Sequence, residues 1–297
     1  MYTSNKEYEA SLKSIETENY PDRWFYRPVG FHIAKKLRNT NITPNMITVI
    51  SIFVGAAAGP LFYCNDRLLV LLGIISLIIA NILDCVDGQL ARLTGIKSEI
   101  GRILDGFAGD IWFTLIYVFL ALDLKNEYGT GLFFIPAVIA GLSHLVQANI
   151  TDYYKTLHLF FVSKEKGKEF QNIDEVRSQY LENKSIVSKI LFFFYLRYTS
   201  LQESVTPKLQ QMLKNFRLKY GDDIPDEIRI DFRRQSIRLM KRFIDFMTFN
   251  GRTIVLFAVV LVGHVWVYFF YEIVVLNIIL IISVYKHEKI CASFIGQ

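Results

Sequence analysis

The sequence has little cysteine, and its three cysteines, at positions 64, 85 and 291, stand far apart. No pair has the close spacing of a zinc site or a disulfide framework, which excludes both as organising features. The polar N-terminus lacks the apolar stretch of a signal peptide, so we expect no cleaved leader. The chain also has no internal repeat and no low-complexity tract. Its fold is therefore predicted from hydrophobic patterning alone.

The sequence contains several long apolar runs. Hydrophobic residues make up 52% of the chain, and the mean hydropathy is +0.28. About 20 apolar residues span a bilayer as a helix, and backbone polar groups must be satisfied within lipid. We therefore expect an all-α integral membrane protein with a bundle of six transmembrane helices. The nearly charge-free runs lie at residues 46–64, 68–83, 111–122, 131–148, 253–270 and 273–285.

The distribution of Lys and Arg argues against a large soluble helical protein, which is the competing interpretation. With both termini on one side, the outer loops (65–67, 123–130 and 271–272) contain only Arg67 and Lys125. The other 31 of the 33 Lys and Arg lie on the opposite side. Because basic loops are retained in the cytoplasm, we expect a multi-pass membrane protein with both termini and the functional site cytoplasmic. The expected location is a prokaryotic inner membrane.

The polar segments divide the chain into four parts. The stretch "DRWFYRPVGFHIAKKL" mixes aromatic and basic residues, which predicts an amphipathic helix in the plane of the lipid headgroups. The stretch "DEIRIDFRRQSIRLMKRFIDFM" is basic with helical periodicity; it either lies on anionic lipid or packs as a solvated helix against a partner. The parts are 1–45, polar N-terminus and interfacial helix; 46–155, helices 1–4; 156–251, a long cytoplasmic helical insertion; and 252–297, helices 5 and 6 with the C-terminal tail.

Four aspartates stand in the stretch "DCVDGQLARLTGIKSEIGRILDGFAGD" between two apolar runs. An α-helix turns about 100° per residue, so Asp84 and Asp87 share one face, and Asp105 shares a face of the next helix with Gly101. Three carboxylates can thus converge at one end of the bundle, where charge is costly and usually functional. Oxygen ligands without His or Cys favour Mg²⁺, Mn²⁺ or Ca²⁺.

Small residues and an arginine accompany these carboxylates. Gly88 and Ala91 remove side-chain bulk beside them, and Arg92 can pair with phosphate. Carboxylate-held metal, an arginine and room for a nucleotide are parts used in phosphoryl transfer. A simpler alternative is that the carboxylates only neutralise nearby basic residues. A cation transporter is the alternative from another functional class.

The pattern Asp84-x2-Asp87-Gly88-x2-Ala91-Arg92-x8-Gly101-x3-Asp105 resembles the signature of the CDP-alcohol phosphotransferases, also called CDP-alcohol phosphatidyltransferases. The resemblance implies a membrane enzyme of phospholipid synthesis in which an acceptor hydroxyl attacks a CDP-linked donor and CMP leaves. It also implies two Mg²⁺ or Mn²⁺ ions, held by Asp84, Asp87, Asp105 and a fourth aspartate. The implied partners are membrane lipids and a second copy of the chain in a homodimer, with no nucleic acid. The residues implied in CDP binding are Asn45, Thr48, Asp84, Gly88, Ala91, Arg92 and Gly101.

The fourth aspartate departs from the signature. The family's position four residues after Asp105 is Gly109, and the carboxylate comes one residue later, at Asp110. In a regular helix Asp110 points about 140° away from Asp105. A π-bulge near Gly106 and Gly109 would return Asp110 to the site as metal ligand and catalytic base. Alternatively, Asp105 or another group is the catalytic base, or the chain is an inactive scaffold.

The substrates are less defined by the sequence. The resemblance favours CDP-diacylglycerol as the donor and a polar alcohol such as inositol phosphate as the acceptor. A soluble donor such as CDP-ethanolamine with a lipid acceptor is the alternative. A phosphorylated acceptor needs polar and basic residues at the cytoplasmic end of the bundle. The candidates are Arg102, Asp152, Tyr153, Lys155 and Arg252.

Overall fold

The structure is a computed structural model that describes residues 2–64, 66–96, 98–163, 170–182, 185–221 and 223–296. These residues form helices and connecting turns and contain no strand, which confirms the all-α prediction. Two compact units are present. One comprises Met1–Leu145 with Phe249–Val275, and the other comprises Val146–Thr248 with Leu276–Gln297.

The first unit contains the aspartate-rich stretch. A single π-helical turn, Asp22–Tyr26, leads into its second helix. Its helices are α1 (Tyr2–Ala10), α2 (Arg27–Leu37), α3 (Pro44–Ala56), α4 (Ala58–Tyr63), α5 (Arg67–Thr94), α6 (Glu99–Tyr128), the first part of α7 (Phe134–Val162), α12 (Phe249–Val262) and α13 (Trp266–Phe270).

The second unit contains most of the predicted insertion, whose described residues form helices joined by short turns. The α7 helix continues into this unit without a break. Its other helices are α8 (Ile173–Glu182), α9 (Ile186–Ser204), α10 (Pro207–Tyr220), α11 (Asp226–Arg242) and α14 (Leu276–Phe294), with a 3₁₀ turn at Ile244–Met247.

Local sequence signals fix the helix ends around the aspartates. The Asp66 carboxylate caps α5 by accepting hydrogen bonds from the backbone amides of Leu68 and Leu69, at 2.9 and 3.1 Å. Gly95, at φ +74°, ends α5 in the left-handed conformation that favours glycine. Ser98 then caps α6. The short break between α5 and α6 places the two halves of the motif on adjoining helix ends.

In the described part of the chain, five helices are long and apolar enough to cross a membrane. The fifth predicted run, 253–270, is divided between α12, which has only 14 residues, and the start of the helix at Trp266, whereas the sixth, 273–285, lies within the last of the five spans. The predicted runs in α5 and α6 reach full length because both helices include the aspartate motif. The five spans are Pro44–Tyr63, Arg67–Thr94, Gly101–Tyr128, Gly131–Val162 and Trp266–Phe294.

The prediction of an outer loop at residues 271–272 is wrong. The chain turns earlier, at Gly263 with φ +83°. The helix that begins at Trp266 then continues through a π-helical turn, Tyr271–Val275, into α14. Glu272 therefore lies inside a helix, where it is fully buried and forms an ion pair with Arg252.

Candidate metal and nucleotide site

Two helices bring three carboxylates together. Asp84 and Asp87 lie one turn apart on α5, and Asp105 lies in the second turn of α6. One oxygen from each carboxylate lies within 4.8 Å of the others. Asp87 is only 3% exposed, and the other two are half-buried. Three negative charges this close repel one another strongly, and a divalent cation bound by oxygen ligands relieves that repulsion, so these residues fit such an ion.

Thr48 on α3 orients one of the three carboxylates. Its side chain is buried, and Oγ1 donates a hydrogen bond of 2.6 Å to Oδ2 of Asp87. One oxygen of Asp87 is thereby fixed, and this sets the direction of the other. A hydrogen bond that orients a ligating carboxylate commonly raises metal affinity.

The variant Thr48→Val keeps the shape of this side chain and removes the donor. We expect its Mn²⁺ affinity to fall about tenfold or more, since outer-shell partners of metal ligands contribute factors of this size. Electron paramagnetic resonance titration of free Mn²⁺ measures the affinity. Thr48→Ser keeps the hydroxyl and is expected to bind as the wild type does. Equal affinity in Thr48→Val and the wild type would contradict this role.

Gly101 allows α6 to pack closely against the start of α3. A Cβ at position 101 would lie 2.2 Å from Oδ1 of Asn45 and 2.8 Å from Oγ of Ser98. The Gly101 amide donates to Ser98 Oγ at 2.9 Å, and Nδ2 of Asn45 donates to the same oxygen at 3.1 Å. Asn45, Ser98 and Gly101 therefore form a small polar junction that sets the position of Asp105 one turn further along.

The N-terminal segment contacts the aspartate stretch directly. Arg92 Nε donates a hydrogen bond to the backbone carbonyl of Ser11. Gln89 Nε2 donates to Ser11 Oγ at 3.1 Å and to the carbonyl of Arg27 at 3.2 Å. Arg27 in turn pairs with Glu18 at 3.0 Å. This segment is polar, yet parts of it are buried, because its polar groups are satisfied by the motif helix and by one another.

Glycine and alanine leave space beside the motif arginine. A Cβ at Gly88 would lie 3.1 Å from Nη2 of Arg92, so the guanidinium lies over the bare backbone of Gly88. Ala91 is half-buried on the same helix. The guanidinium of the predicted phosphate-pairing residue is thus positioned by the Ser11 carbonyl and by the open backbone of Gly88.

Comparison with known proteins connects this geometry to a family. Residues 41–167 match the model of the CDP-alcohol phosphatidyltransferase family. This segment is therefore similar to CDP-alcohol phosphatidyltransferase domains. It is 41% identical over 73 residues to an archaetidylinositol phosphate synthase of Pyrococcus horikoshii, covering 25% of this chain and 37% of that relative. It is 29% identical over 102 residues to an uncharacterized protein of Aquifex aeolicus, covering 33% and 50%. The matched regions thus span half or less of either relative.

Asp110 lies apart from the three carboxylates of the candidate metal site. The α6 helix is a regular α-helix from Glu99 to Tyr128, so the predicted π-bulge is absent. The extra residue rotates Asp110 away from Asp105, and its Oδ1 lies 3.5 Å from Nε2 of His144. The hydroxyl of Tyr117 forms a hydrogen bond of 3.0 Å with Nδ1 of the same histidine. The prediction that Asp110 enters the metal group through a bulge is therefore wrong.

Arg252 is not available to an acceptor in this structure. Its side chain is 1% exposed and forms an ion pair with Glu272, whose side chain is fully buried. The sequence predicts Arg252 at the cytoplasmic end of a helix, where an acceptor could reach it. Its side chain is instead paired with Glu272, which lies 20 residues further along the chain. Arg102, by contrast, is half-buried one residue after Gly101, on the helix that carries Asp105.

The other three acceptor candidates belong to the second unit. Asp152 is exposed and Lys155 half-buried on α7. Tyr153 is buried, accepts a hydrogen bond of 2.7 Å from Gln210 and stacks on Phe170 with ring centroids 5.5 Å apart. Tyr153 therefore lies in a packed aromatic and polar environment within its own unit.

Three contributors to the site were missed in the sequence. Ser98 was identifiable as a helix cap, because a serine before an apolar helical run is a common start signal. Ser11 and Gln89 gave no such signal, since neither belongs to the signature and their contact joins residues 78 positions apart. Gln89 lies within the motif stretch, and only the fold brings Ser11 to it.

Proposed function

We propose that this chain transfers a phosphatidyl group from a CDP-linked donor to an acceptor hydroxyl and releases CMP, as an enzyme of membrane phospholipid synthesis. The observation that carries the proposal is the convergence of Asp84, Asp87 and Asp105 within 4.8 Å of one another, on two adjoining helix ends. Gly88, Ala91 and Arg92 follow at the spacing of the family signature. The match of residues 41–167 to the family model supports the same activity.

The side chains have separate roles in this proposal. Asp84, Asp87 and Asp105 would hold two Mg²⁺ or Mn²⁺ ions. Those ions supply positive charge to the pyrophosphate and the leaving group. Arg92 pairs with a phosphate oxygen, and Gly88 and Ala91 leave room for the nucleotide. In the reaction a bond forms between the acceptor oxygen and the phosphorus remote from cytidine. The bond from that phosphorus to CMP breaks, and the acceptor loses its proton.

We assign acceptance of that proton to Asp105. It is the carboxylate from α6 in the group, whereas Asp110 lies beside His144. Asp105 is half-buried, so part of the residue remains accessible to solvent. A general base must reach the proton it removes within hydrogen-bond distance, so in this proposal the acceptor hydroxyl binds beside Asp105, between the two helices.

The variant Asp110→Asn is accordingly expected to keep turnover within about tenfold of the wild type, a change in barrier below about 1.4 kcal/mol. The amide keeps the size of the side chain beside His144 and removes its charge. Initial rates of CMP release at saturating substrate measure the effect. A loss of two orders of magnitude or more, with unchanged thermal stability, would instead make Asp110 the base.

For the substrates we propose CDP-diacylglycerol as donor and a phosphorylated polyol such as inositol phosphate as acceptor. Part of the support is the relative from Pyrococcus horikoshii, whose name describes a synthase of archaetidylinositol phosphate. The apolar helices around the carboxylates provide a lipid-facing location for a donor with acyl chains. Arg102 is the proposed contact for the acceptor phosphate, because it follows Gly101 on the helix that carries Asp105.

A CMP-release assay with purified protein and Mg²⁺ tests this function. CDP-diacylglycerol and CDP-ethanolamine are each combined with inositol phosphate, inositol, glycerol phosphate and diacylglycerol. We expect CMP from CDP-diacylglycerol with a phosphorylated polyol. CMP only from CDP-ethanolamine with diacylglycerol would reverse the donor assignment. Absence of CMP with every pair, together with metal-dependent ion flux in proteoliposomes, would replace the enzyme with a transporter.

A further inference from the structure

A basic groove in the second unit lies outside the site described above. It has a volume of about 440 Å³ and lies between α11 and α14. Arg238 and Arg242 stand four residues apart on α11, and Lys286 and Lys289 stand three apart on α14. Such spacings place side chains on one face of a helix. All four are exposed, so two helices direct four positive charges towards one groove.

Among the residues that the structure describes, no acidic side chain lines this groove. The nearby carboxylates are engaged elsewhere: Asp231 with Arg234 at 3.1 Å, and Asp245 with Lys241 at 3.6 Å. Glu288, next to the groove lysines, accepts hydrogen bonds from the backbone amides at the start of α10. Within the described residues, none of the four groove cations takes part in an ion pair. A cluster of uncompensated positive charge attracts an anion.

The floor of the groove is apolar. Leu239 is 5% exposed, and Phe243 and Ile290 complete the floor. The Lys286 ammonium lies 4.3 Å from the centre of the Phe243 ring. A cation above an aromatic face is stabilised by the ring and keeps its charge directed outward. The groove thus combines an apolar base with a charged rim, which matches an amphiphile better than a small inorganic ion.

The groove also lies at the end of an apolar helix. The helix that contains α14 is part of the candidate span Trp266–Phe294, and Lys286 is the first charged residue after its apolar stretch. Ile278, Ile281 and Tyr285 are 52%, 67% and 69% exposed and form a stripe on one face of α14 that leads to Lys289. Acyl chains can follow this stripe while a headgroup occupies the groove.

We propose that the groove binds the phosphate-bearing headgroup of an anionic phospholipid, whose acyl chains lie along the exposed stripe of α14. Basic residues just beyond a membrane helix are a recurrent means of binding anionic lipid. Free phosphate shares the headgroup's charge, but it does not use the apolar floor or the stripe. The groove is separate from the three carboxylates, so the proposal of lipid binding can be tested independently of the transfer reaction.

Equilibrium binding of fluorescent phosphatidylglycerol to the full chain in neutral detergent tests the proposal. The variant with Arg238→Gln, Arg242→Gln, Lys286→Gln and Lys289→Gln is expected to bind at least tenfold more weakly. The lysine pair alone, Lys286→Gln with Lys289→Gln, is expected to give an intermediate loss. Wild-type binding should weaken with added salt, since exposed charges are screened.

The matched control removes four other exposed cations of the same unit. It carries Arg177→Gln, Lys189→Gln, Arg197→Gln and Lys214→Gln and is expected to bind phosphatidylglycerol as the wild type does. Unlabelled phosphatidylcholine and inorganic phosphate are the competitors, and neither is expected to displace the probe at concentrations at which unlabelled phosphatidylglycerol does. Equal binding by the groove variant and the wild type would overturn the proposal. Displacement by inorganic phosphate at the same concentration would also overturn it, in favour of a free-anion site.

Discussion

Asp87→Asn is expected to lower CMP release by at least three orders of magnitude, which corresponds to about 4 kcal/mol of barrier. Asp87 is the most buried of the three carboxylates, and Thr48 holds one of its oxygens. The amide has nearly the same shape but carries no charge, and it is a much weaker ligand for a hard cation. Initial rates across a range of Mg²⁺ concentrations show whether added metal rescues the variant.

Asp66→Asn is the matched control on the same helix. Asp66 caps the opposite end of α5, and asparagine caps helices about as well as aspartate. The control therefore removes one carboxylate charge from α5 and leaves the helix start intact. Turnover near the wild-type rate is expected. If Asp87→Asn and Asp66→Asn lost activity to the same extent, the three-carboxylate site would not be the catalytic one.

Arg252→Leu is expected to lower the free energy of unfolding by about 3–5 kcal/mol, because removing one partner of a buried ion pair leaves an uncompensated buried charge. The Arg252 and Glu272 side chains are 1% and 0% exposed, and they join α12 to the following helix. Tyr271, beside Glu272, donates a hydrogen bond to the backbone of Gly251 at 3.1 Å. Denaturant titration of the purified protein in detergent, followed by tryptophan fluorescence, measures the loss.

The double variant Arg252→Leu with Glu272→Leu separates the cost of a lone charge from the loss of packing. Apolar replacement of both partners of a buried pair is often neutral or stabilising. We expect the double variant to regain most of the stability that the single variant loses. A double variant less stable than Arg252→Leu would show that Glu272 is held by other groups and does not depend on this arginine.

The three-carboxylate group could be predicted because its geometry is local. Asp84 and Asp87 share a face through helical periodicity, and Asp105 follows a helix start that Ser98 marks. The break between the two helices is visible as Gly95. When spacing along one helix and a short connection determine a site, the sequence contains nearly all the required information.

The predictions that are wrong concern contacts between residues far apart in the sequence. Glu272 separates two charge-free runs, which predicts a loop at residues 271–272. Its ion pair with Arg252 allows it to lie inside a helix, and the turn falls at Gly263 instead. Asp110 was expected to return through a bulge, yet His144 gives it a contact in a regular helix. In each case the position of a carboxylate depends on a side chain from another helix. The periodicity of one helix carries no information about such a contact.

The polar N-terminal segment shows the same limit. Its composition predicts a peripheral segment, but Ser11, Ser14 and Glu18 are 0%, 6% and 4% exposed. They are buried because Arg92, Gln89 and Arg27 supply partners for polar groups nearby. Satisfied polar groups can be buried at little cost, so hydropathy alone does not locate them.

Mn²⁺ binding measured by electron paramagnetic resonance tests the central claim, that the three carboxylates form a divalent-metal site. The wild type is compared with the triple variant Asp84→Asn, Asp87→Asn and Asp105→Asn. A control removes three exposed carboxylates through Asp174→Asn, Asp226→Asn and Glu227→Gln. We predict tight Mn²⁺ binding in the wild type and the control and its loss in the triple variant. Equal binding in the triple variant and the wild type would contradict the account.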